Sequence, residues 1–192
     1  MKKIVVLGCG GSGKSTFSKK LGALMDIPIY HLDTFYWKPG WEALNEVEFD
    51  KVLNELVIKD HWIIDGNFIR TIDVRIEAAD TVIFFDMPRY LCMYRIIKRR
   101  FMYIGKSRPD MTEGCKEKLD FEFVNWVWNF NKNVRPKIIE KLKKYSKEKH
   151  IIVLNAGLTV IRLLPPLVIT YEQLDHLAAT LNEVLTSEIV GE

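Results

Sequence analysis

Gly8-Cys9-Gly10-Gly11-Ser12-Gly13-Lys14-Ser15 constrains this chain more than any other stretch of it. The run fits G-x-x-x-x-G-K-[ST] in the context that gives the pattern meaning: the apolar Ile4-Val5-Val6-Leu7 precedes it, and Phe17, Leu21 and Leu24 follow at helical spacing. Glycines let the backbone curl so that successive N–H groups point inward. The N-terminus of the following helix adds its partial positive charge, and together they make a cradle for phosphate. The expected ligand is ATP, held by Gly8, Gly10, Gly11, Ser12, Gly13, Lys14, Ser15 and Thr16. Lys14 would reach the β- and γ-phosphates, the Ser15 hydroxyl would hold Mg²⁺, and Thr16 would add a hydroxyl to the α-phosphate. A glycine-rich turn without a ligand is the competing reading, and the complete motif in its context argues against it.

The rest of the chain alternates strands and helices. Ile29-Tyr30-His31-Leu32, Trp62-Ile63-Ile64, Val82-Ile83-Phe84-Phe85 and Ile151-Ile152-Val153-Leu154 read as short buried strands. Helical patterns cover Glu46 to Lys59, Pro88 to about Phe101, and Glu117 to Tyr145 with a break near Pro136. The pattern predicts an α/β fold in three layers, with a five-stranded parallel sheet between helices. Ligands of such sheets bind beyond the carboxyl ends of the strands, where Asp33, Asp65 and Asp86 stand. Asp65 is the first candidate to hold Mg²⁺ through water, in the usual strand order beside the first strand. Asp86 is its competitor, with helix capping as the alternative role.

Transfer of a phosphoryl group spreads negative charge that arginine forks stabilise. Arg95 and Arg99, four apart on one helix face, are candidates for this work, against a solvated basic face. Transfer also needs water kept out. The segment from about 103 to 135 suits a helical lid, with Phe121, Phe123, Val124, Trp126, Trp128 and Phe130 on its helix and Arg135 directed at the phosphates. Asp33, in His31-Leu32-Asp33-Thr34-Phe35-Tyr36-Trp37, stands where an acceptor hydroxyl would be received and either deprotonated or oriented, or else it satisfies loop amides.

Composition narrows the classes further. The 192 residues suit one domain, with 48% hydrophobic residues to fill a core. Apolar runs are of strand length, so no membrane span is expected, and no signal peptide is readable. Cys9, Cys92 and Cys115 match neither a disulfide framework nor a zinc site. These features point to a cytoplasmic protein, monomeric or homodimeric. Basic residues crowd Arg95 to Arg108 and Lys137 to Lys149, which leaves nucleic acid open as a partner beside nucleotide phosphate. A GTPase-like switch is disfavoured, since Asn131-Lys132-Asn133-Val134 lacks the aspartate of N-K-x-D and Glu117-Lys118-Leu119-Asp120 lacks the asparagine.

From Met1 to Leu154 the chain resembles the DNA topology modulation protein family, FlaR-related members of the adenylate kinase-like P-loop kinases. The resemblance rests on Gly8 to Thr16, His31-Leu32-Asp33, Trp37-Lys38-Pro39-Gly40-Trp41, Trp62-Ile63-Ile64-Asp65-Gly66-Asn67, Arg108-Pro109-Asp110-Met111, Glu113-Gly114-Cys115 and Trp126-Val127-Trp128-Asn129-Phe130. It implies an adenylate kinase-like fold, ATP binding and kinase activity on a small nucleotide-like or hydroxylated acceptor; the family name adds an ATP-responsive, nucleic-acid-binding alternative. Asp65-Gly66 resembles the start of the adenylate kinase Asp-Gly-Phe-Pro-Arg motif, but Asn67-Phe68-Ile69 departs from it and argues against an AMP-type acceptor.

Residues 155–192 instead resemble the C-terminal segment of class III pyridoxal-phosphate aminotransferases, through Asn155-Ala156-Gly157, Val160 to Leu167 and Tyr171-Glu172-Gln173-Leu174-Asp175. The segment is too short for that fold, and no aminotransferase activity is carried over. Thr170 and Gln173 form a capping box ahead of a helix with Leu174, Leu177, Ala178, Leu181, Val184 and Leu185 on one stripe. This C-terminal helix is expected to pack on the 1–154 domain or on a second copy. Truncation after Asn155 should then change the melting temperature or the oligomeric state; no change in either, by thermal melts and light scattering, refutes the packing.

Overall fold

A computed structural model describes residues 1–105, 108, 111–156, 161–163, 176, 179 and 180. The elements run β1 (Lys3–Gly8), α1 (Lys14–Met25), β2 (Ile29–His31), α2 (Leu32–Tyr36), β3 (Trp37–Lys38), β4 (Glu42–Ala43), α3 (Glu46–Val57), β5 (Trp62–Asp65) and α4 (Ile72–Ala78). They continue with β6 (Thr81–Asp86), α5 (Arg89–Met102), α6 (Phe121–Asn133), α7 (Arg135–Tyr145), β7 (His150–Ala156) and β8 (Ile161–Leu163). The main sheet has the order β2-β5-β1-β6-β7-β8. Its first five strands are parallel, as the alternating pattern predicts. β8 adds a sixth, antiparallel strand against β7, which itself extends to Ala156.

Alternation within each strand divides the apolar side chains between two cores. Ile4, Val6, Ile63, Ile83 and Phe85 pack with Phe17 and Leu21 of α1 on one face. Val5, Leu7, Ile64, Val82 and Phe84 meet α3, α4, α5, α6 and α7 on the other. Period-two strands buried on both faces give the three layers directly.

Three local features differ from the sequence reading. Leu32 leaves the strand to open the short helix α2, which carries Asp33 in its first turn. Trp37–Lys38 and Glu42–Ala43 pair as a small hairpin. The long helical stretch starts at Phe121 rather than Glu117, while its break falls at Val134, beside the expected Pro136, which sits in the first turn of α7, where its missing N–H costs nothing. The expected C-terminal helix lies mostly outside the described residues; His176, Ala179 and Thr180 are helical.

A fully buried arginine braces the turn after β5. Arg75 of α4 donates to the carbonyls of Gly66 (2.6 Å), Phe68 (2.7 Å) and Thr71 (3.4 Å). Arg75→Ala would strand these carbonyls and should lower stability by about 3 kcal/mol in urea unfolding; a change within ordinary surface-mutation scatter refutes the brace.

Candidate functional site

The phosphate loop closes β1 onto α1. Gly13, with φ 96°, precedes the first turn of α1, and no side chain caps the helix. Its leading N–H groups are therefore left for a ligand. The loop is also embedded in the protein. A Cβ at Gly11 (φ +78°) would meet the Cys92 carbonyl at 2.6 Å, and one at Gly10 would meet the Phe123 ring at 2.9 Å. Helices α5 and α6 thus close on its backbone, and at Gly11 only glycine fits.

Neighbouring strands deliver the charged groups. β5 pairs with β1 so that Asp65 lies beside Val6, and β2 pairs with β5 so that His31 lies beside Asp65. Asp65 is buried, with Lys14 Nζ 3.6 Å from Oδ1 and His31 Nδ1 2.9 Å from Oδ2. Burial alone would raise its pKa. The Lys14 ammonium, the His31 ring and the Ser15 hydroxyl hold it below the usual carboxylate value. Oδ1 has no hydrogen-bond partner, and neither has the buried Ser12 hydroxyl. An orphaned carboxylate oxygen next to Lys14 and Ser15 suits the outer sphere of a magnesium ion. No cluster of three His, Cys, Asp or Glu groups that could hold a metal stands among the described residues.

Asn67 belongs to this centre, although sequence reasoning gave it no role. Its side chain accepts from the Gly8 N–H (2.9 Å) and donates to the Gly8 carbonyl, clasping the first glycine of the loop from both sides. The only sequence signal was its place directly after Asp65-Gly66.

A cavity of about 870 Å³ opens over the loop. Gly10, Gly11, Gly13, Lys14, Ser15 and Thr16 form one wall, and Asp33, Arg95 and Arg99 also face it. Arg95 donates to the Ser12 carbonyl (3.2 Å). Arg99 donates through Nε to Glu117 (2.8 Å), and Arg108 meets the other oxygen of the same buried carboxylate at 2.7 Å. Glu117 was not singled out from sequence; an acid in a basic and aromatic stretch was the signal. Of the aromatic residues on α6, Phe123 and Trp126 line the cavity, Phe130 is in the core, and Phe121 is exposed.

Two expected site residues pair with each other instead. Arg135, expected at the phosphates, makes a two-pronged ion pair with Asp86, both contacts 2.7 Å. The Asp86 carboxylate raises the Arg135 pKa in turn. Neither residue lines the cavity. Cys9, Cys92 and Cys115 are free and buried. No helix among the described residues is long and apolar enough to cross a membrane.

No protein-family model matches the chain, and no curated protein is significantly similar to it. Among solved structures, a shikimate kinase from Acinetobacter baumannii in complex with shikimate aligns at TM-score 0.48 and 19% identity, over 99% of this chain and 96% of its own. A gluconokinase from Sinorhizobium meliloti 1021 aligns at TM-score 0.47 and 13% identity, over 100% and 98%. A putative kinase from Chloroflexus aurantiacus aligns at 0.41 and 15%, over 65% and 76%. These likenesses are too low to carry an activity or a substrate to this chain.

The depressed pKa of Asp65 has a definite sign. The unfolded chain takes up the proton first, so the stabilisation is complete above the ordinary carboxyl pKa and is lost as pH falls through the folded value. In urea titrations the wild type should lose stability below about pH 4, with a flatter acid limb in Asp65→Asn. Equal slopes would show that Asp65 is not so held.

Proposed function

We propose that the protein is a Mg²⁺-dependent kinase that moves the γ-phosphoryl group of ATP to a small hydroxylated acceptor. The observation that carries this reading is the meeting of Lys14 with the buried Asp65, 3.6 Å apart, at an uncapped helix N-terminus. Loop N–H groups would hold the β- and γ-phosphates, with Lys14 beside them. Ser15 and, through water, Asp65 would hold a magnesium ion, which would offset the charge of the phosphates.

Arg95 and Arg99 would face the charge that develops on the transferring oxygens. Such a contact contributes a factor of about 10²–10³ in rate where water is excluded. Asp33 would receive the proton of the acceptor hydroxyl as its oxygen attacks phosphorus and ADP leaves. Glu117 would keep Arg99 in place between turnovers. Arg95, Arg99 and Arg108 line the cavity, which supports a nucleotide-phosphate use of that basic stretch over a nucleic-acid one. Arg135 has no part in this proposal, being engaged by Asp86.

Purified protein should release ADP from MgATP in the presence of one or more nucleosides, nucleoside monophosphates or hydroxylated metabolites, and Lys14→Ala should abolish that transfer. Transfer that survives intact in Lys14→Ala overturns the proposal.

A further inference from the structure

Trp41 has a left-handed backbone, φ 68°, which a bulky side chain rarely adopts. Strain of this kind persists only where the surroundings enforce it, and it gathers at ligand-binding positions. The enforcement is visible. The Trp41 N–H donates to the Lys38 carbonyl at 3.1 Å, and its indole N–H donates to the Lys116 carbonyl at 2.9 Å. Thr112 donates to the carbonyls of Thr34 (2.9 Å) and Trp37 (2.7 Å), and Cys115 Sγ lies 3.2 Å from the Lys38 carbonyl. A segment some 75 residues away in sequence is thus stitched to the β3–β4 hairpin. The result is a fixed pair of indoles, 5.5 Å apart at 68°, both lining the cavity that also holds Asp33 and the loop.

We infer that this pair is the acceptor's platform, and that the acceptor is an uncharged hydroxyl compound with a flat ring, such as a nucleoside. The inference rests on the kinase reading above for the destination of the phosphoryl group. Two observations select the chemistry. Rigid indole faces favour a planar ring over a polyol, because ring stacking needs both partners flat. The charge balance argues against a phosphorylated acceptor. Six basic and four acidic side chains line the cavity among the described residues. That surplus is about the charge left on ATP once one magnesium ion is bound. The cavity-lining cation seen at the platform, Lys118, sits 4.9 Å over the Trp41 ring and is paired with Asp120 at 3.0 Å. Hence the triphosphate uses the surplus, and an acceptor phosphate would have no built partner among these residues.

The test is calorimetric titration of adenosine, thymidine, their 5′-monophosphates and glycerol into full-length protein, with the nucleotide site filled by magnesium and a non-hydrolysable ATP analogue. At least one nucleoside should bind, and more tightly than its monophosphate or glycerol. Trp41→Ala should weaken it by about tenfold or more, Trp41→Phe should largely retain it, and the Kd of the ATP analogue should hold in both variants. A monophosphate that binds more tightly than its nucleoside overturns the inference. So does a preference for glycerol, binding by none of the probes, or a nucleoside Kd indifferent to Trp41→Ala. ADP release is followed in parallel. Nucleoside binding that behaves as expected without transfer upholds the platform and refutes the kinase reading. Transfer to glycerol that ignores Trp41 does the reverse.

Discussion

One ion pair governs the arrangement of this molecule. Lys14 and Asp65 come from a loop and a strand end far apart in sequence, and they meet at 3.6 Å with the carboxylate buried. At this range, in a partly polar interior, their attraction is about 4 kcal/mol before the cost of desolvation is counted. Removing either partner would leave the other charge uncompensated, at a cost of about 3–5 kcal/mol. The parallel pairing of β1 with β5 is therefore tied to the chemistry of the loop. A slip of one residue in that register would send Asp65 to the other face of the sheet.

Around this pair the protein spends its other buried polar groups on shaping backbone. Arg75 fixes the carbonyls on either side of Asn67, and Asn67 in turn holds Gly8. This chain of contacts runs from a helix remote from the loop to the loop's first residue. Glu117 plays a similar part on the opposite wall, where one carboxylate orients Arg99 and Arg108 together. In both places a buried charge is matched by several partners at once, which is the condition under which burying it does not unfold a domain.

Much of this was legible from sequence. The loop motif, the strands bounded by glycine and acid, and the helix stripes each follow from local chemistry, and the parallel five-strand core has the expected order around β1. Asp65, Arg95 and Arg99 could be named as candidates because a strand end and helical spacing place them; Asp33, read at a strand end, lies in the first turn of α2. Tertiary pairing was not legible. Nothing in the neighbourhood of Arg135 reveals that Asp86 will take it, since the two are 49 residues apart and meet only when α7 packs beside β6. Glu117 looked like one more charge on a helix, and it proved to lie in a loop, nearly inaccessible to solvent. The two-residue strands of the β3–β4 hairpin are too short to show a period. Their geometry comes from the distant segment bonded to them.

The depth at which the phosphate loop is embedded has a thermodynamic consequence. Cys9 belongs to the main hydrophobic core with Cys92, Ile96 and Val127, so the loop's outer wall is also the inner wall of α5 and α6. An anion seated in the loop therefore acts on a part of the molecule that unfolds with everything else. Through linkage, a ligand at a hundred times its dissociation constant adds about 2.7 kcal/mol to such a unit. Occupancy of the loop would then raise the stability of the whole fold, and a chain without that ligand would be more exposed to unfolding and proteolysis.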